Sequence, residues 1–137
     1  MDKWAEFESE FFTIVDLGRA AIFYIPVKKL KGEVGVRIRE DLHLFLISQF
    51  GTYSASKIES FTTYGYWMGS ARAIIYDESV IYEVSFVGKE RIPILLERLA
   101  QLAVEIDEEC IYIKAGQYSG LVLPSQELIK IMESNRA

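Results

Sequence analysis

Four strand-like runs and two amphipathic helical stretches follow one another in the order strand, helix, strand, strand, helix, strand. That order predicts an α+β domain of the ferredoxin-like βαββαβ type, a four-stranded antiparallel sheet with two helices on one face plus terminal helices. Right-handed crossovers bring both helices to the same face and leave the other bare. Two features of composition support a packed domain. The chain has 137 residues, enough to bury a sizeable core without metal or disulfide staples. Half of them are hydrophobic and 13% aromatic, which excludes a disordered chain. We read a single domain over 1–137: an N-terminal helical extension over 1–18, a core over 20–116 and a C-terminal extension over 117–137.

Each element has its own warrant. Trp4, Phe7, Phe11 and Ile14/Val15 recur at helical spacing, and Asp2, Glu6, Glu8 and Glu10 put negative charge where a helix N-terminus favours it. This predicts a helix over 2–17, stopped by Gly18. The β-branched run Thr13-Ile14-Val15 keeps a strand as the competing reading. Ala20 to Val27 is apolar and aromatic-rich, a buried strand with Pro26 at its end. Lys28 to Gly35 reads as a basic, glycine-containing loop. Ile38, Leu42, Phe45/Leu46 and Phe50 then form a 3.6-residue stripe, a helix over 37–50 ended by Gly51, with a strand over 34–39 as the alternative for its start.

Ile58 to Met68 is dense in Thr, Tyr, Phe and Trp, which suit a pleated sheet, and Gly69-Ser70 breaks it. In the strand Ser79 to Val87, Val80, Tyr82, Val84 and Phe86 share one face, while Glu83 and Ser85 take the other. Glu90 to Ile106 carries Ile92, Leu95/Leu96, Leu99, Leu102/Ala103 and Ile106 as one helical stripe, with Pro93 in the first turn. Cys110 to Ala115 is the last strand. Ser125 is placed to cap a terminal helix containing Leu128 and Ile131/Met132. Asp77-Glu78 and Asp107-Glu108-Glu109 read as turns or element ends.

Composition also bounds function. Fifteen Lys+Arg against 20 Asp+Glu give a net charge of −5, which disfavours nucleic acid as a partner. A single cysteine, Cys110, excludes an internal disulfide and CxxC zinc sites; a single histidine, His43, excludes multi-histidine metal centres. No metal and no cofactor are expected. The acidic N-terminus does not resemble a secretory signal and no run is long enough to span a bilayer, so a cytoplasmic, membrane-free protein is expected. Neither His43, without an orienting carboxylate, nor Cys110, beside Glu108 and Glu109, makes a persuasive catalytic group. No catalytic residue is assigned.

The bare sheet face is where function is expected. Period-2 alternation puts Ile22, Tyr24, Ile81, Glu83 and Ser85 outward with Tyr112 and Lys114, a mixture too apolar for an ordinary solvent face. The first five are the candidate oligomer interface. Tyr64, Tyr66, Trp67, Arg72, Tyr112, Lys114, Gln117 and Tyr118 are the candidate ligand-binding residues, at a subunit boundary. Lys28, Lys29, Lys31, Arg37 and Arg39 concentrate positive charge and are the candidate anion-binding residues, although the spacing of a Walker loop is absent. Base stacking in the manner of RRM domains lacks its basic-glycine-aromatic run.

From Arg19 to Gly116 the chain resembles a family of small ferredoxin-like proteins with a Gly-x-Trp second strand, matched here by Gly65-Tyr66-Trp67 and Gly69, with Glu78-Ser79 before the third strand. The order of elements is also similar to the trimeric CutA and PII-like proteins. That resemblance implies an oligomer with ligands in clefts between subunits. Together these readings predict a non-catalytic, homo-oligomeric binding or interaction protein, its partners itself and a small anionic or nucleotide-like ligand. One alternative is a dimeric α+β barrel enzyme acting on an aromatic or carbonyl compound through Tyr24, Glu83 and Tyr112. Another is a phage or bacterial defence-related protein that sequesters a nucleotide signal or blocks a protein partner.

Overall fold

A computed structural model describes residues 4–56, 63–68 and 74–135, with side chains over 4–56 and 78–135. Within these residues β1 (Arg19–Pro26), β2 (Tyr53–Ala55), β3 (Thr63–Met68), β4 (Ile74–Phe86), β5 (Ile111–Ala115) and β6 (Tyr118–Val122) form one antiparallel sheet. Five strands run in the order β2-β4-β1-β5-β6, and β3 pairs with β4 beyond β2. The helices are α1 (Gly32–Phe50), α2 (Ile92–Glu105) and α3 (Gln126–Ser134).

The α+β class holds, but the sheet is larger than the four strands expected. Residues 118–122 return along β5 through a two-residue turn at Gly116 and Gln117, with Gly116 at a φ of +62°. Ser119 and Gly120 interrupt the apolar pattern there, so the sequence reads as an irregular extension. β4 begins at Ile74 because it pairs with β3 all the way from Ser79 to Ile74. Asp77-Glu78 therefore lie inside a strand and not in a turn.

Two further expectations are corrected. The helix over 2–17 is absent from the described part of that segment, which holds a three-residue 3-10 turn at Ala5–Phe7 and a bridge between Ser9 and Phe12. An isolated amphipathic helix gains little until its apolar face is buried. No residue of this turn is buried, and Phe11 is 87% exposed. The basic loop is likewise replaced by a 3-10 turn at Val27–Leu30, after which α1 starts at Gly32; the strand alternative over 34–39 is helix. Gly35 sits inside α1, where an added Cβ would come within 2.6 Å of the Leu30 carbonyl carbon. Only glycine lets the helix pack so closely on the turn.

The core lies between the sheet and the helices. Phe23, Ile25, Tyr82, Val84, Ile111 and Ile113 face Leu42 and Leu46 of α1 and Leu95, Leu99 and Leu102 of α2, all buried. The Phe23 and Tyr82 rings stack at 5.2 Å and 8°. Burial of each such side chain contributes about 1.5–3 kcal/mol. The opposite sheet face has no helix upon it among the described residues. Burial alternates along β5 accordingly, with Ile111 and Ile113 inside and Tyr112 and Lys114 outside.

Candidate functional site

The candidate site is built from three adjacent strands on this open face. Tyr24 of β1 and Tyr112 of β5 meet edge to face, with ring centroids 5.4 Å apart and planes at 89°. Tyr24 also pairs across to Ile81 of β4. Two residues along β1, Ile22 lies opposite Glu83 on one side and Lys114 on the other. An aliphatic residue thus separates a carboxylate from an ammonium, their Cα atoms about 10 Å apart at two strand spacings. Glu83 and Lys114 are exposed, while Ile22, Tyr24, Ile81 and Ser85 are half-buried. Chemically this is an aromatic platform beside a dipolar pair.

The other expected ligand residues do not all join it. Gln117 lies in the β5–β6 turn and Tyr118 opens β6, near Lys114, which pairs with Ser119. Tyr64, Tyr66 and Trp67 sit on β3, where Trp67 pairs with Ile75. Ile75 and Glu83 are eight residues apart on β4, or about 27 Å along the strand. Trp67 therefore lies well away from the tyrosine pair within one copy, about 20 Å along β4 from Ile81, whereas Tyr64, the partner of Glu78, is about 10 Å along from it. Arg72 lies outside the described residues.

The basic residues stand at the far end of β1. Lys28 and Lys29 occupy the 3-10 turn, Lys31 precedes α1, and Arg37 and Arg39 ride on it. Lys29 is engaged by the loop after α2: its Nζ donates to the Asp107 carbonyl at 3.5 Å and lies 4.0 Å from a Glu108 carboxylate oxygen.

Sequence reasoning missed a polar cluster on the helix side. His43 Nε2 is hydrogen-bonded to the Tyr82 hydroxyl at 2.9 Å, and the His43 and Tyr53 rings lie 4.9 Å apart. Burial lowers the His43 pKa, the Arg39 charge adds to this, and Glu40 opposes it. Burial raises that of Tyr82. The available signal was an inward-facing tyrosine, whose hydroxyl needs a partner when buried. Burial also raises the Cys110 thiol pKa, with Glu109 and Glu108 adding. Among the described residues no group of three or more His, Cys, Asp or Glu side chains is placed to hold a metal ion, and no helix is long and apolar enough to cross a membrane.

A groove of about 420 Å³ lies between α2 and the β5–β6 hairpin, lined by Ile92, Leu95, Leu96, Ile113 and Leu121 among others. Its lining offers a charged substrate little.

The site and fold together define an antiparallel α+β sheet protein with one open face that carries aromatic rings, a carboxylate and an ammonium group. No protein-family model matches the chain, and no curated protein matches it in sequence. Its fold is similar to that of a phage SAM lyase in complex with S-methyl-5'-thioadenosine, with a TM-score of 0.55 and 12% identity over 86% of this chain and 98% of that chain. It is also similar to a phage SAM lyase in the apo state, with a TM-score of 0.50 and 12% identity over 83% of this chain and 96% of that one. These similar structures are of an enzyme, which corrects the expectation of a non-catalytic binding protein. The barrel enzyme for aromatic or carbonyl compounds and the nucleotide-sequestering protein have no counterpart in them.

Proposed function

We propose that the protein is a lyase that cleaves S-adenosylmethionine, or a close sulfonium analogue, on the open face of its sheet. The observation that carries this reading is the row Lys114–Ile22–Glu83 beside the Tyr24–Tyr112 pair. Such a substrate has a cationic sulfur between a flat nucleoside and an amino-acid arm ending in a carboxylate. Lys114 suits the carboxylate, Glu83 the cationic sulfur, and the tyrosine rings a nucleobase or a cation over their faces. The ligand of the similar lyase complex, S-methyl-5'-thioadenosine, is the neutral thioether that such a cleavage releases.

The chemistry asks little of the side chains. If the substrate's own carboxylate attacks its γ carbon, a C–O bond forms as the C–S bond breaks. The sulfur keeps the electron pair and leaves as methylthioadenosine, and the remaining atoms form homoserine lactone. No proton is gained or lost. The site's task is to fold the carboxylate towards the γ carbon, for which orientation is the main source of rate.

The charged row and the tyrosine pair lie within one copy, so this reading asks for no second copy; a neighbour would be needed only to bring the Trp67 end of β3 to the same substrate.

The test is incubation of the purified protein with S-adenosylmethionine and chromatography of the products. Methylthioadenosine is expected, abolished by Glu83→Gln and reduced by Tyr112→Ala in proteins that melt normally. Intact substrate after prolonged incubation, with no thermal shift from methylthioadenosine, overturns the reading.

A further inference from the structure

We infer that residues 13–17 of one copy add as a strand to the open β6 edge of a second copy. Two unfilled features lead there. Thr13 to Leu17 belongs to no helix or strand and is rich in β-branched residues, and among the described residues its backbone has no partner. Val15 is 79% and Leu17 52% exposed, an unusual state for such residues. The second feature is β6. Its outer edge faces no strand among the described residues, and Tyr118-Ser119-Gly120-Leu121-Val122 contains neither a charge nor a proline. Natural edges are normally blunted by such residues, because an open edge recruits another strand.

The occupant follows from where the two features lie. Gly18 fixes the direction in which the arm leaves. Its φ is +81°, an added Cβ would collide with the Phe86 carbonyl oxygen, and its N–H donates to the Asp16 carboxylate at 2.9 Å. Leu17 accordingly lies near Gln49, Phe50 and Thr52, beside β2. The sheet order β2-β4-β1-β5-β6 puts that edge opposite β6. The arm thus leaves the start of β1 towards the end of β4, where Leu17 meets Phe86 and Val87, and so heads away from β5 and β6. A chain cannot fill its own edge without undoing the Gly18 anchor, so the partner is a second copy joined head to tail. Such junctions close into rings or propagate.

The geometry also names the donors. In a hairpin closed by Ala115 and Tyr118, the N–H groups of Tyr118, Gly120 and Val122 bond to β5, and those of Ser119 and Leu121 point outward. The arm has five residues to match five in β6. This contact involves the strand edge and leaves the open face free, so it stands or falls separately from the lyase reading.

The experiment is light scattering on the full chain and three variants, with circular dichroism to verify folding. Ser119→Pro removes an outward donor at a strand edge, where proline is tolerated. Ser119→Lys blocks the same edge by charge without altering the backbone. The double variant Ile14→Pro, Val15→Pro disables the arm whichever N–H groups it uses. The wild type is expected to be at least a dimer and each variant monomeric. An equimolar mixture of an edge variant and the arm variant should form a one-to-one heterodimer, since it retains one intact arm and one intact edge. A monomeric wild type, variants that keep the wild-type mass, or a mixture that stays monomeric overturns the inference.

Discussion

His43 Nε2 lies 2.9 Å from the Tyr82 hydroxyl, which ties α1 to the inner strand β4 from inside the fold. Burial and Arg39 hold the His43 pKa below its ordinary value of 6.5, against the pull of Glu40, while Tyr53 and Tyr82 pack on its ring. The unfolded chain therefore takes up a proton at a pH where the folded protein resists it. The stability from this histidine is fully present above about pH 6.5 and is lost as pH falls towards the lower folded value. Thermal melts at pH 7.5 and 5.5 should show a lower midpoint at 5.5, and His43→Gln should flatten that difference. An unchanged slope in the variant would remove the histidine as its source.

Tyr82→Phe keeps the stacked ring over Phe23 and deletes only the hydroxyl. A loss of about 0.5–1.5 kcal/mol is expected, the usual worth of one such hydrogen bond. Urea unfolding measures it. A stabilised variant would show that the contact with His43 contributes nothing.

Gly35→Ala should destabilise, although alanine normally improves a helix interior by about 1 kcal/mol. The new methyl would meet the Leu30 carbonyl carbon at 2.6 Å and the Lys29 carbonyl oxygen at 2.9 Å, backbone atoms that cannot swing aside. The sign of the change in the denaturation midpoint decides the matter. A gain would mean that the turn yields.

Leu99→Ala empties a position that is 0% exposed between α2 and the sheet. The expected cost is about 2–5 kcal/mol, measured by denaturant unfolding. Ser125→Ala should cost about 1 kcal/mol, because the Ser125 hydroxyl accepts the Leu128 N–H at 3.1 Å at the start of α3. No residue of α3 is buried. Hydrogen exchange should therefore show faster opening of α3 alone while the sheet is unaffected.

On the proposed lyase reading, the Lys114–Ile22–Glu83 row implies an asymmetry in catalysis. Lys114→Ala should chiefly raise KM for S-adenosylmethionine, by roughly tenfold for one charge-assisted contact. Lys114→Glu should do so more severely. Lys114 is exposed, so the melting temperature should scarcely move in either variant. Product formation over a range of substrate concentrations separates the two parameters, and equal activity in all variants would move the site elsewhere.

Local pattern sufficed wherever one side chain's surroundings were set by its nearest neighbours along the chain. Alternation in β1, β4 and β5 sorted the buried residues Phe23, Tyr82 and Ile113 from the outward Tyr24, Glu83 and Lys114. The stripe from Ile92 to Ile106 marked α2, and Ser125 marked the start of α3. Period and capping are properties of a few consecutive residues, so they are legible without coordinates. The pairing of distant segments was not. Whether Thr13–Val15 would be helix or extended, whether Ser119-Gly120 would continue into a sixth strand, and how far β4 would run past Ser79 all depended on which edges met. Those choices also placed Tyr24 against Tyr112 and set Ile75, the partner of Trp67, some 27 Å along β4 from Glu83. Strand pairing joins backbone groups that are far apart in the chain, and backbone groups are alike at every residue. Which strands lie side by side is therefore decided by the packed whole.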